Sequence, residues 1–188
     1  MLEKIVNLLK TGSRSSIELA YQLSLSNKLN LWPIERELKD LLFYANNIQA
    51  PIQFDKLPLG QLCYVLKEVI ALEYHNSTLE ALPDRFDFMP ALVILEINCT
   101  SLTVVGKSIE QLSKLKSLSI KNTQIRTLPI QLSLLTDLES LNISYNQQLV
   151  SLPKDIYACS KLEKLRVCKN TARLVDLKKA HFELIICS

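Results

Sequence analysis

Leu135 to Leu162 reads LTDLESLNISYNQQLVSLPKDIYACSKL. Its leucines keep neither the 3.6-residue beat of a helix nor the 2.0-residue beat of a strand. With Leu138 as position 1, apolar residues follow at Leu141 and Ile143. Asn146 holds position 9, then come Leu149, Leu152-Pro153, Ile156, Cys159 and Leu162. Moving the frame toward the N-terminus finds the same slots filled by Leu115, Leu118, Ile120, Thr123, Ile125, Leu128-Pro129, Leu132 and Leu135. A further shift gives Leu92, Leu95, Ile97, Thr100, Leu102, Val105-Gly106, Ile109 and Leu112. Another gives Val69, Leu72, Tyr74, Ser77, Leu79, Leu82-Pro83, Phe86 and Met89. Starts at 69, 92, 115, 138 and 162 are spaced by 23, 23, 23 and 24 residues, the extra residue being Gln147 or Gln148.

A repeat of this length is a supersecondary unit that buries its apolar face only against its neighbours. The L-x-L core is a short strand with alternate side chains inward. Stacked copies build a parallel sheet, and the proline after position 14 turns the chain onto the outer face. An Asn at position 9, with both donor and acceptor atoms, can satisfy buried backbone groups between coils. Asn146 and Asn170 fit that slot, while Ser77, Thr100 and Thr123 substitute hydroxyls, so the ladder is expected to be weaker in the first three coils.

The pattern resembles the leucine-rich repeat, L-x-x-L-x-L-x-x-N/C-x-L. Its L-P-x-x-I continuation is similar to the 23-residue type of Ras-group and bacterial leucine-rich repeat proteins. The resemblance covers Val69 to about Ile185. It implies an α/β fold: a right-handed solenoid with a parallel concave sheet at residues 67–188. After Ala172 the pattern fades. Val175 and Phe182 fit, Lys179 does not, and Ile185 is the expected start of a sixth strand.

Residues 1–66 lack the beat and read as an α-helical N-terminal cap. Leu2, Ile5, Val6 and Leu9 have helical spacing, stopped by Gly12. Ser15-Ser16-Ile17-Glu18 reads as a capping box opening a helix that ends near Asn27. Trp32-Pro33 opens another, with Ile34, Leu38, Leu41, Leu42 and Ala45 on one face. Ile52-Gln53-Phe54 fits a short edge strand, and Leu57-Pro58 a degenerate repeat turn. Leu59, Leu62, Leu66 and Val69 again have helical spacing.

The resemblance places positions 3, 5, 7 and 8 on the concave side. Position 3 reads Ala71, Ile94, Ser117, Ser140 and Lys164, and position 5 reads Glu73, Glu96, Ser119, Asn142 and Arg166. Position 7 reads His75, Asn98, Lys121, Ser144 and Cys168, and position 8 reads Asn76, Cys99, Asn122, Tyr145 and Lys169. The face runs from acidic through small and polar to basic. From Lys161 onward there are 7 Lys/Arg against 3 Asp/Glu. Five strands span roughly 20 Å, room for a helix, a loop or an extended peptide. The expected site is therefore Glu73, His75, Glu96, Asn98, Ser119, Lys121, Asn142, Ser144, Tyr145, Arg166 and Lys169, with a protein or peptide partner. Charge complementarity would set the orientation of that partner.

Other function classes find less support. The net charge is +3, from 22 basic and 19 acidic residues, too balanced to argue for nucleic acid or a membrane surface. The basic C-terminal segment is interleaved with Glu163, Asp176 and Glu183 and reads as a solvated face. With three glycines and neither a P-loop nor a G-x-G-x-x-G, no nucleotide or other cofactor is expected. The five cysteines show no C-x-x-C pair, so no metal site is expected. Cys159 takes an inward slot, whereas Cys99 and Cys168 are expected to face outward. His75 and Cys99 on neighbouring strands suggest a Cys/His hydrolase, but an open sheet lacks a water-excluding pocket and oxyanion donors. His181 has no partner in the pattern and is expected in solvent. No signal peptide or membrane-spanning run is visible, so the expectation is a cytoplasmic, non-enzymatic binding module, monomeric or weakly dimeric. The alternative is a structural homo-oligomer assembling through the C-terminal strand edge or the helical cap.

Overall fold

The structure, a computed structural model, describes residues 1–43, 57–75 and 78–187. Four helices come first: α1 (Leu2–Lys10), α2 (Arg14–Ser26), α3 (Trp32–Phe43) and α4 (Leu59–Glu68). Six strands follow: β1 (Ala71–His75), β2 (Ile94–Asn98), β3 (Ser117–Lys121), β4 (Ser140–Asn142), β5 (Lys164–Cys168) and β6 (Glu183–Cys187). They form one parallel sheet in sequential order. The register is the repeat made visible. Leu72 pairs with Leu95, Leu95 with Leu118, Leu118 with Leu141, and Leu141 with Leu165.

Each strand returns through the outer face. Short 3-10 turns there, Phe86–Phe88, Lys107–Gln111, Ile130–Leu134 and Lys154–Ala158, put Phe86, Ile109, Leu132 and Ile156 into the core. Pro129 and Pro153 stand at the N-caps of two of these turns with extended backbone, where the missing N–H costs nothing. Leu72, Leu95, Leu118, Leu141 and Leu165 are all at 0–1% exposure, in a single cluster shared with the helices.

Asn146 performs the expected ladder role. Its Nδ2 donates to the carbonyls of Ile120 and Ile143, at 2.7 and 3.0 Å. Its Oδ1 accepts from the Thr123 amide and hydroxyl, at 3.0 and 2.7 Å. Three other readings of this slot change. Thr100 is exposed, and Cys99, expected outward, is fully buried with its thiol donating to the Tyr74 carbonyl at 3.4 Å. That is the bond Asn146 makes to Ile120, executed one residue earlier. Asn122 and Tyr145 take left-handed backbone (φ 52° and 60°), which carries the following residue inward. Cys99 takes no such turn and points inward itself. In the fifth coil Asn170 is exposed within the short helix α5 (Lys169–Ala172), and Thr171 fills the buried position. Ser77 lies outside the described residues.

The sixth strand begins at Glu183, two residues before the expected Ile185, because the last coil is shortened: Lys164 pairs with Glu183. Phe182 closes this coil by stacking on Tyr157, ring centroids 6.1 Å apart. His181 is solvent-exposed as expected but not without a partner. Its Nε2 donates to the Cys159 carbonyl at 3.0 Å, and its ring meets Phe182 edge-on.

At the other end, Gly12 (φ 60°) ends the first helical segment in the conformation that favours glycine. The cap of α2 is Ser13, not Ser15: the Ser13 hydroxyl accepts from the Ser16 amide at 3.2 Å. Asn30 accepts the Trp32 amide to open α3, whose Ile34, Leu38 and Leu41 are buried. Leu57-Pro58 is no repeat turn; Pro58 is the N-cap of α4, which buries Leu59, Leu62 and Leu66. The Leu42 side chain, Ala45 and Ile52 to Phe54 lie outside the described residues. The Tyr74 hydroxyl donates to the Leu41 carbonyl at 2.8 Å, joining β1 to α3. Lys10 pairs with Asp87 at 2.7 Å, and the Arg85 guanidinium covers the Phe88 ring between Glu37 and Asp87. Helices and first coil are therefore joined by buried contacts.

Candidate functional site

Pairing in register lines the concave side chains into rows. Glu73 is the lateral neighbour of Glu96, Glu96 of Ser119, Ser119 of Asn142, and Asn142 of Arg166. The next row joins His75, Asn98 and Lys121. Its polar side chains brace one another: Asn122 donates to the Asn98 carboxamide at 2.8 Å, and His75 Nε2 lies 3.3 Å from Glu73 Oε2.

Two residues of the expected site are withdrawn from the surface. Ser144 is 1% exposed, with both its amide and hydroxyl donating to Asn142 Oδ1. Ser119 is 7% exposed because its short side chain sits on the floor between Glu96 and Asn142, and its hydroxyl has no hydrogen-bond partner among the described residues. Asn76 lies outside the described residues. Tyr145, 49% exposed, and the exposed Arg166 and Lys169 stand toward the C-terminal end of the face.

Charges differ between the concave face and the flank. On the flank, Lys116 holds Glu139 at 2.8 Å and Lys161 holds Asp137 at 2.6 Å, each pair bridging adjacent coils. The hydrogen bond and charge of Lys161 keep the Asp137 carboxyl below its ordinary range. On the concave face, Glu96, Lys121, Lys164, Arg166 and Lys169 join no ion pair among the described residues. Glu73 and Glu96 stand on paired positions of neighbouring strands, where like charges repel.

The suggested His75–Cys99 pair does not assemble. Cys99 is sealed beneath the sheet, and burial pushes its thiol up, away from the thiolate a nucleophile needs. Among the described residues no group of three or more His, Cys, Asp or Glu is placed to hold a metal ion. No helix of the described residues is long and apolar enough to cross a membrane.

Sequence reasoning missed one concavity. A groove of about 970 Å³ runs between α2 and α4, lined by Ile17, Tyr21, Leu25, Leu57, Tyr64 and Lys67 among others. Gly60 allows the close approach, since a Cβ there would meet the Ile17 methyl at 2.8 Å. The signal was present in α2: Ile17, Tyr21 and Leu25 at i, i+4 and i+8 form an apolar stripe beside the buried Ala20.

The family model of the leucine-rich repeat matches residues 90–147, the stretch from the approach to β2 through the Asn146 ladder. The repeats of this chain are leucine-rich repeats. Among solved structures, the leucine-rich repeat domain of the type III effector XopL is similar at 17% identity and TM-score 0.51, over 97% of this chain and 62% of that one. A leucine-rich repeat protein of Leptospira interrogans matches at 25% identity and TM-score 0.49, over 73% of this chain and 35% of that one. The chain thus spans about a third of one relative and under two thirds of the other. The XopL likeness shows a shared fold. Leucine-rich repeat folds typically serve as protein-interaction modules and are generally non-enzymatic.

Proposed function

We propose that the concave face of these leucine-rich repeats binds a protein or peptide segment carrying basic groups at one end and acidic groups at the other, without catalysing a reaction. One observation carries the reading: the flank charges are spent on one another, while Glu96, Lys121, Arg166 and Lys169 on the concave face are not. A cationic group set between Glu73 and Glu96 would relieve their repulsion. A carboxylate over Arg166 and Lys169 would find two exposed donors, and Tyr145 offers the aromatic anchor common at hot spots. Steering by such charges acts on association rate and orientation.

Selection from a random peptide display library tests this. Wild-type protein is expected to enrich peptides with basic and acidic ends in a fixed order. The variant Glu73→Lys, Glu96→Lys, Arg166→Glu should reverse that order while keeping its far-ultraviolet circular dichroism. Enrichment of the same peptides by both proteins would move the binding surface off the concave face. A second reading, homotypic assembly, draws on β6, which pairs on one side with β5 and leaves Ile186 52% exposed. Light scattering separates it: a mass independent of concentration removes it.

A further inference from the structure

Cys168 and Cys187 stand side by side on neighbouring strands of the concave sheet. They are paired positions in the register of β5 and β6, so their side chains leave the same face of neighbouring strands. Adjacent strands lie about 4.7–4.9 Å apart, inside the roughly 4.4–6.8 Å between Cα atoms that a disulfide spans. Both thiols are free and half-buried. The other three cysteines are sealed in the core at 0–1% exposure. Burial pushes their thiols up, that of Cys63 to about 12.

The surroundings of Cys168 make its sulfur reachable. The Tyr145 amide donates to Cys168 Sγ at 3.1 Å, aimed there by the left-handed backbone of Tyr145. A groove of about 540 Å³ opens beside the sulfur, lined by Tyr145, Gln147, Cys168, Lys169 and Asn170. The ammonium of Lys169 on its wall favours an anionic reagent.

We propose that Cys168 and Cys187 form a redox-responsive dithiol, closed to an intramolecular disulfide by a small anionic peptide disulfide. The Cys168 sulfur attacks one sulfur of the reagent and breaks its S–S bond. A mixed disulfide forms, and the departing thiolate takes up the proton Cys168 gave up. The Cys187 sulfur then attacks Cys168 Sγ, expelling the second reagent thiol, which takes the Cys187 proton. Two protein thiols lose two electrons in all, and the reagent disulfide is reduced to two thiols. The product ties the terminal strand to its neighbour and encloses α5, Val175, His181 and Phe182 in one covalent ring.

The test incubates the full chain with oxidised glutathione and reads intact mass and peptide maps under denaturing, thiol-blocked conditions. Wild-type protein is expected to lose two hydrogen atoms and yield a Cys168–Cys187 cross-linked peptide, with Cys63, Cys99 and Cys159 still alkylated. Cys187→Ser should stop at a glutathione adduct on Cys168. Oxidation should slow hydrogen exchange across β6 and raise Tm by roughly 6–12 °C, from the short loop enclosed and the size of the chain. A wild-type protein that keeps a stable glutathione adduct, cross-links between molecules, or stays unmodified where a reference dithiol is fully oxidised would overturn the proposal.

Discussion

The two ends of this solenoid meet the same physical problem by different means. At the N-terminal end, the first strand is covered by helices. The Tyr74 hydroxyl reaches α3, Lys10 of α1 reaches Asp87, and the shared core runs on without a break. Around β6 the buried contacts among the described residues are fewer. Phe182 stacks on Tyr157, His181 caps a carbonyl, and β6 exposes half of Ile186. One end is a packed joint between two kinds of structure; the other is a coil cut short and folded over. Stability should therefore decline along the solenoid, and local opening should start at β6.

The largest way to break this contrast is at Tyr74. Tyr74→Ala removes a fully buried ring and its link to α3, at an expected cost of about 3–5 kcal/mol in urea unfolding followed by circular dichroism. Tyr74→Phe keeps the ring but removes the hydrogen bond to the Leu41 carbonyl, for about 0.5–1.5 kcal/mol. Phe182→Ala should cost about 3 kcal/mol or less, since a rim site collapses more easily than a core. Its loss should appear as faster hydrogen exchange in β6 and α5 with β1–β3 unchanged. Equal acceleration in β1 would mean the ends are coupled and the contrast fails.

Asp87→Asn is smaller again. It weakens the charged contact to Lys10, whose side chain is 32% exposed, for about 1 kcal/mol or less, read in the urea midpoint. Asp137 marks the lower bound. Lys161 lowers its folded pKa, so any stability it adds is present above the unfolded carboxylate range and is lost as pH falls through the lowered value. The pair is solvent-exposed, so Asp137→Asn should leave Tm unchanged within error at neutral pH, in low or high salt.

The same contrast explains what could be seen in the residues beforehand. Inward slots from Leu72 to Val167 were legible because each coil packs on a copy of itself, so one spacing rule governs all of them. Ladder identity was not. Whether Cys99 or Thr100 turns inward depends on a backbone φ at the strand exit, and a left-handed tyrosine such as Tyr145 carries no compositional flag. The cap of α2 shifted from Ser15 to Ser13 because several neighbouring serines offer the same hydroxyl and only the turn after Gly12 selects among them. His181 depended on a carbonyl 22 residues away, a contact made by the shortened last coil rather than by any local pattern. The charge rows of the concave face were readable from spacing. The withdrawal of Ser119 and Ser144 was not, since it comes from the length of the side chains beside them.

Trp32 opens α3 with its indole 60% exposed and the Arg36 guanidinium 5.6 Å from the ring centroid. It is the sole tryptophan in the chain. Light absorbed at the red edge of the indole band is therefore re-emitted from the helical cap alone, and the repeats are dark at that wavelength. An emission shift dates the melting of the cap, while ellipticity follows the whole chain. The protein carries, in one residue, a built-in reporter for whether its two parts come apart together or in turn.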